Sequence, residues 1–191
     1  MRKYFVILIM ICFGILFFVN FSNTTSKDKF DISLSNADKL LKDLQKDYQK
    51  AIINIRKLQS DPKQTMEVNN LIMEMLYSNE VSEKDIELLL NAQRELYDEK
   101  LLEVNPKDVH FKKAKEEIEA YNKTDTKILE YHIQEDNSNS SEEMKIMKVV
   151  YYLNKIGPKG QVYEEFLLVK DNELWKIKGW QKTDEFIIVG D

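Results

Sequence analysis

Cysteine, proline and glycine are all scarce in this 191-residue chain, which has one Cys, three Pro and five Gly. A single cysteine excludes an intramolecular disulfide framework and a zinc site built on cysteine pairs. So little glycine and proline also excludes a collagen-like or proline-rich disordered chain. The length suits one globular domain of ordinary size.

Positive charge is also in short supply, because 28 Lys and Arg stand against 33 Asp and Glu, for a formal net charge of -5. Proteins that bind nucleic acids need a basic surface to neutralise phosphates, so this balance argues against a nucleic-acid partner. The motifs G-x-S-x-G, G-x-G-x-x-G and H-E-x-x-H and the phosphate-binding P-loop do not occur. We therefore predict no catalytic residues, no metal site and no cofactor.

Residues 4–21 form an uncharged and strongly apolar run that follows Arg2 and Lys3. Eighteen residues at about 1.5 Å per residue nearly match a hydrocarbon core of roughly 30 Å. The run therefore predicts a transmembrane signal anchor in contact with the lipid bilayer, with residues 1–3 as a cytoplasmic tip. The expected location is the cell membrane, with a single span and the carboxy-terminal domain outside. Cleavage of the segment as a signal peptide, followed by secretion, is the alternative.

The rest of the chain divides into a tether at residues 22–35 and an extracytoplasmic α+β domain at residues 36–191. Apolar residues at helical spacing predict helices over 36–122, and a change to alternation predicts a sheet over 126–190. The fold class predicted is thus a transmembrane helix followed by helices packed on a curved antiparallel sheet.

Within the helical half, the first helix is predicted to run from about Ser35 to Gln59. Its apolar seam over residues 41–58 predicts packing within the domain, or alternatively a homodimer stalk beside the membrane. Further helices are predicted to start at Pro62, capped by Asp61, at Ser82, and at Asn105-Pro106.

The sheet half predicts strands over 126–134, 144–153, 162–169 and 174–180, with a short final strand at 186–189. The third and fourth of these strands are expected to form a hairpin with Asp171-Asn172 as its two-residue turn.

The segment from Tyr163 to Trp180, which reads YEEFLLVKDNELWKIKGW, resembles the closing hairpin of NTF2-like (cystatin-like) domains. The segment from Leu88 to Leu102 is similar to a family of unknown function in low-GC Gram-positive bacteria, whose members are single-pass membrane proteins with such an external domain. The resemblance implies an NTF2-like fold for residues 36–190. It assigns no catalytic residue.

An NTF2-like sheet can enclose a cavity, and an acid-base enzyme of this kind needs an inward carboxylate or histidine. Alternation places Tyr131 in the core and His132 on the solvent side, which favours a structural histidine. Glu164 and Glu165 are further candidates. His110 has no second histidine at i+4 for a metal, and the acidic pairs Glu116-Glu117 and Glu142-Glu143 are predicted to be solvated faces.

Five aromatic residues are the candidate ligand- or partner-binding residues: Tyr131, Tyr152, Tyr163, Trp175 and Trp180. Trp175 is predicted to anchor the core. In a regular strand Trp180 would lie on the opposite face, as an exposed contact residue, unless a bulge near Gly179 returns it to the same side.

Two functions are compatible with this pattern. The first is a membrane-anchored, extracytoplasmic binding or assembly module without catalysis, with an envelope protein as its partner. The alternative is a small-molecule pocket, as in a sensor or a weak acid-base enzyme. A cavity filled by Met147, Val149, Phe166 and Leu168 would exclude the pocket.

Overall fold

The computed structural model describes residues 37–138, 140–155 and 160–188, which form an α+β fold with helices first and strands second. The helices are α1 (Ala37–Lys46), α2 (Tyr48–Leu58), α3 (Pro62–Leu76), α4 (Glu83–Arg94), α5 (Glu99–Val104) and α6 (Lys107–Lys123). The strands are β1 (Ile128–Glu135), β2 (Met144–Leu153), β3 (Gln161–Asp171) and β4 (Leu174–Lys182). They form one antiparallel sheet in the order β1-β2-β3-β4.

The predicted fold class needs a correction, because it placed a transmembrane helix ahead of this α+β fold. Of the helices that the structure describes, none has both the length and the apolar character to cross a membrane. The predicted span at residues 4–21 and the tether at residues 22–35 lie outside the described residues. The corrected class is α+β, with six described helices and a four-stranded antiparallel sheet. The location outside the cell and the contact with lipid, which depended on that span, stay predictions.

Side-chain caps explain where most of the helices begin. Asp61 Oδ1 accepts a hydrogen bond from the Gln64 backbone N–H (2.9 Å), and Pro62 occupies the first position of α3 as predicted. Ser82 caps α4 in the same way, also as predicted. Asp98 caps α5, a short helix that the sequence reading did not separate from its neighbours.

The single helix predicted from Ser35 to Gln59 is wrong in one respect, because the structure breaks it at Asp47. Asp47 has an extended backbone, and its carboxylate accepts a hydrogen bond from the Lys50 backbone N–H at 3.1 Å. This local cap competes with continuation of the helix. Leu44, Ile52 and Ile55 are buried in the protein's own core on both sides of the break, which favours packing within the domain over a stalk.

A two-residue turn joins β3 to β4, shifted by one residue from the predicted Asp171-Asn172. Asn172 and Glu173 both have positive φ, 47° and 66°, which is the backbone of a primed hairpin turn. The predicted last strand at 186–189 is also wrong for the described residues 183–188, which continue from β4 without regular secondary structure.

The sheet has an inner face, which packs on the helices, and an outer face. Helix α3 contacts β1, β2 and β4, and α5 contacts β4. The side chains of the inner face share one buried core with those of the helices; from the sheet they are Tyr131, Met147, Val149, Tyr151, Phe166, Leu168, Trp175, Ile177 and Trp180.

A β-bulge in β4 puts both tryptophans on the inner face. Leu167 pairs with Gly179 while Leu168 pairs with Ile177, so Lys178 is an extra residue with no partner position on β3. Trp175 and Trp180 are an odd number of residues apart, so a regular strand would place them on opposite faces. The extra residue brings Trp180 to the inner face, where it is only 2% exposed. The expectation of an exposed Trp180 is therefore wrong, and the bulge alternative holds.

Helical segments cover part of the free side of β4, which is one of the two outermost strands. The backbone N–H of Trp175 donates to Gln59 O (2.6 Å), and that of Ile177 donates to Leu96 O (2.7 Å). Asp98 N–H donates in turn to Ile177 O at 2.9 Å. The other outermost strand, β1, carries Leu129 with 62% of its surface exposed.

Candidate functional site

The five predicted binding residues do not form one site, because the sheet separates them onto two faces. Tyr131, Trp175 and Trp180 are buried on the inner face. Tyr152 and Tyr163 are half-buried on the outer face. The first three are thus part of the core, and only the last two can take part in a contact surface.

On the inner face, the hydroxyl of Tyr131 donates a hydrogen bond to Glu67 Oε2 of α3 at 2.7 Å. Burial raises the pKa of Glu67, although the Tyr131 hydroxyl and the Lys63 charge oppose that shift. This contact links the centre of β1 to α3. It also gives the hydroxyl of the buried Tyr131 a hydrogen-bond partner.

Glu117 corrects the prediction that the pair Glu116-Glu117 is a solvated face. Its Oε2 accepts a hydrogen bond from the Tyr77 hydroxyl at 3.0 Å, and burial raises its pKa to about 7, which the Tyr77 hydrogen bond and Lys182 oppose. The side chain of Glu116 is 66% exposed, as predicted. A helix of 3.6 residues per turn separates such neighbours by about 100°, so one acidic residue of a pair can face the core while the other faces water.

His110 is the second titratable group buried under α6. Its ring stands 5.7 Å from the ring of Tyr97 and 5.9 Å from that of Phe111. Burial, followed by the nearby Arg94 charge, lowers its pKa to about 4, so the ring is neutral. Neither ring nitrogen has a hydrogen-bond partner among the described residues. This is the surrounding of a structural histidine.

Three side chains of the outer face and one that follows β4 form an aromatic group, which we call the outer patch: His132, Tyr152, Tyr163 and Phe186. The rings of His132 and Tyr152 meet edge to face at 5.7 Å, and those of Tyr163 and Phe186 do so at 5.2 Å. Val150, which pairs with both His132 and Tyr163, is buried between them. The patch spans three neighbouring strands.

Residues 183–188, which we call the strap, follow β4 and reach this patch. The Thr183 backbone N–H donates to Tyr163 O at 3.0 Å, which continues the pairing of β4 with β3 by one residue. Phe186 then places its ring against Tyr163, and the ammonium of Lys148 lies 5.8 Å from the centre of that ring. Ile187 points away, with 86% of its surface exposed.

Charged groups surround the outer patch. Lys148 forms an ion pair with Asp136 at 2.7 Å, and hydrogen bonds from Lys148 and then Ser138 lower the pKa of Asp136 to about 2. Burial, and next the Glu185 carboxylate, raises the pKa of Tyr163. The outer patch therefore has an aromatic centre and a charged rim.

The contacts that hold the strap are few and weak. An aromatic pair contributes about 0.5–1.5 kcal/mol, and a partly exposed cation-π contact about 0.5–1 kcal/mol. The ring of Phe186 therefore adds only a small stabilisation to the fold.

The remaining catalytic and metal candidates are also separated by the fold. Glu164 is fully buried on the inner face, next to Val149 in the register, whereas Glu165 is half-buried on the outer face. His132 lies on the outer face as predicted, with Glu130 Oε1 at 3.5 Å from its Nε2. No three metal-ligating side chains come together in the part of the chain that the structure describes.

Phe186 is the binding candidate that the sequence reading missed. It was placed in a final strand, where it had no specific neighbour. The sequence indicates this residue only through the acidic-aromatic run Asp184-Glu185-Phe186 after the last long strand. The face of the sheet that the run covers depends on where β4 ends, which the sequence pattern does not define.

One family model, described as Domain of unknown function (DUF6715), matches residues 1–180 of the chain. Comparison with curated proteins and comparison with solved structures found no match. The resemblance to NTF2-like domains thus stays a prediction.

Proposed function

We propose that this chain, which belongs to the DUF6715 family (a domain of unknown function), is a non-enzymatic protein-binding module. Its outer patch docks a partner protein. The observation that carries the proposal is the outer patch itself. Its four rings are only partly buried, lie around the buried Val150, and meet in two edge-to-face pairs. Tyrosine is enriched among the few residues that supply most of the binding energy at protein interfaces.

The filling of the inner face supports binding at the outer patch over a small-molecule pocket. The four side chains whose packing would exclude a pocket, Met147, Val149, Phe166 and Leu168, are all buried in the core. A pocket for a drug-sized molecule occupies about 300–1,000 Å³. Because these four side chains pack into the core, they fill space that such a ligand would need.

The position of β1 extends the proposed surface to the edge of the sheet. His132 belongs to the outer patch and lies on this outermost strand, two residues after Glu130 and three after the exposed Leu129. The exposed Leu129 thus adds apolar surface to the same outermost strand.

Photo-crosslinking in living cells tests the proposal. A photoreactive phenylalanine analogue replaces Tyr152 in one variant of the full chain and Tyr48 in a second. Tyr48 is the matched control, since it is also a half-buried tyrosine but lies on α2, in the helical layer. We expect a discrete crosslinked protein from position 152 and none of that mass from position 48. Equal crosslinking from both positions, or none from 152, would contradict a docking role for the outer patch.

A further inference from the structure

The strap shows which chemistry the outer patch accepts, because part of the chain already occupies it. Phe186 is seated between the Tyr163 ring and the Lys148 ammonium, and Thr183 bonds to the Tyr163 carbonyl. Glu185 lies beside the Tyr163 hydroxyl. The occupant is thus a segment without regular secondary structure that has an aromatic residue directly after an acidic one.

We propose that the strap is an internal competitor and that the partner presents an extended acidic-aromatic segment to the seat formed by Lys148 and Tyr163. This inference rests on the proposed function, and it names the chemistry of the partner. The partner's aromatic ring takes the place of Phe186, and its carboxylate takes the place of Glu185.

The contacts of Phe186 with Lys148 and of Glu185 with Tyr163 favour this occupant over a basic one, and Asp136 pairs with Lys148 beside the seat at 2.7 Å. The cation that faces the ring is Lys148, and a ring beneath an ammonium is attracted to it by its quadrupole. A basic partner segment would bring a second cation toward Lys148 and lose the interaction that Glu185 has with Tyr163. An acidic-aromatic segment keeps both contacts.

The layout of the strap also fits competition. It follows the last strand directly, has no regular secondary structure, and exposes Ile187 almost completely. A partner segment that enters the seat therefore displaces only Phe186 and its neighbours, without breaking a strand. A partner can bind only those molecules whose seat is open. Its apparent Kd is therefore the intrinsic Kd divided by the open fraction.

A peptide titration on the full chain tests the competition. The probe is a fluorescently labelled synthetic peptide with the sequence of residues 182–188, added to the unaltered protein and to its Phe186→Ala variant. We expect the variant to bind the probe about tenfold more tightly, because its own strap no longer fills the seat. A probe in which the phenylalanine is replaced by alanine should lose this binding.

Two variants of the seat and one control locate the binding. Combined with Phe186→Ala, both Tyr163→Ala and Lys148→Ala should abolish the gain, and Lys148→Ala serves if the tyrosine variant does not fold. Ile187→Ala is the matched control in the strap, since Ile187 is 86% exposed. It should bind the probe as the unaltered protein does. Binding that survives both seat variants, or no binding to Phe186→Ala, would overturn the inference.

Two other outcomes separate this inference from the proposed function. A concentration-dependent dimer of the unaltered chain in light scattering that is lost in Phe186→Ala would assign the seat to the strap of a second copy, and so overturn the inference. A cellular protein that crosslinks from position 152 with a yield unchanged by Phe186→Ala would support docking at the patch but also overturn the competition.

Discussion

The two faces of the sheet use aromatic residues in opposite ways, although both draw on the same four strands. The inner face holds Trp175 and Trp180 under the helices, where they have no access to solvent. The outer face holds Tyr152 and Tyr163 at partial exposure, and the strap places the ring of Phe186 against that of Tyr163. The buried aromatic residues of the inner face stabilise the fold. The partly buried tyrosines of the outer face keep surface that the proposed partner can contact.

The comparison also assigns the titratable groups. Three titratable groups lie where helices meet the inner face or the segments beside it: Glu67, His110 and Glu117. Burial is the main cause of the pKa shift of each group. Perturbed pKa values often mark functional sites, but buried structural groups show them too. Here they belong to the core, so they report on stability.

The largest expected effect comes from Trp180→Ala on the inner face. Truncating a tryptophan that is 2% exposed removes contacts with Tyr97 and Phe166 and leaves a cavity, at a cost of about 3–5 kcal/mol. Tyr152→Ala on the outer face should cost about 1 kcal/mol, since that ring is already partly in water. Urea unfolding measures both. Equal losses would contradict the division into a core face and a contact face.

Next in size is the pH dependence that His110 gives to stability. Its folded pKa of about 4 lies below its ordinary value of 6.5, so the unfolded chain binds the proton more tightly. Stability is fully present above pH 6.5 and falls by up to about 3 kcal/mol as the pH drops through the window from 6.5 to 4. His110→Phe removes the titration.

The measurement for His110 is the difference in unfolding free energy between the variant and the unaltered protein from pH 8 to pH 4. We expect that difference to move in favour of the variant as the pH falls. A difference that is constant with pH would mean that His110 is not buried as a neutral ring.

Glu117→Gln should show the opposite slope with a similar amplitude. The folded pKa of Glu117 is about 7, above its ordinary value of 4.5, so its contribution is present below pH 4.5 and lost as the pH rises through 7. Glutamine imitates the neutral form and can still accept from the Tyr77 hydroxyl. The variant should therefore gain about 3 kcal/mol over the unaltered protein between pH 4.5 and pH 8.

A control for Glu117 lies one residue away. Glu116→Gln changes the same charge on the exposed side of α6, where the side chain is 66% exposed. Its unfolding curve should follow the unaltered protein at every pH. A matching gain in both variants would point to net charge and not to burial of Glu117.

Local patterns in the sequence predicted the features that local chemistry decides. The alternation of β-branched and aromatic residues gave β2 its observed bounds, Met144–Leu153, and the caps at Asp61 and Ser82 are as predicted. Each of these depends on a few neighbouring residues. They could be recognised without knowing what packs on them.

The features that were missed depend on contacts between distant segments. The bulge at Lys178 depends on the pairing of β4 with β3. The direction of the strap depends on where β4 stops. Of the predicted site, Tyr152 and Tyr163 are partly exposed and their role in contacts stays a prediction, but sequence spacing alone could not show that the bulge would remove Trp180 from the surface.

Adjacent valines on β2 offer a smaller and more direct comparison of the two faces. Val149 is buried on the inner face and Val150 on the outer face. Valine to alanine should cost about 1–2 kcal/mol at position 149, from lost burial and the residual cavity. At position 150 the loss should be smaller, because the strap and the tyrosines around it can move inward. Urea unfolding of both variants decides this, and a larger loss at 150 would show that the outer face is packed as rigidly as the core.

The smallest effect, and the one that measures the strap itself, is the coupling between Tyr163 and Phe186. Their rings meet edge to face at 5.2 Å, a contact worth about 0.5–1 kcal/mol in a double-mutant cycle. Alanine variants of each residue and of both give that coupling from urea unfolding. The cycle of Tyr163 with Ile187, which is 86% exposed, is the control and should give a coupling near zero. A Tyr163–Phe186 coupling near zero would mean that Phe186 does not occupy the seat, because a ring that rests on Tyr163 must contribute to the stability of the pair.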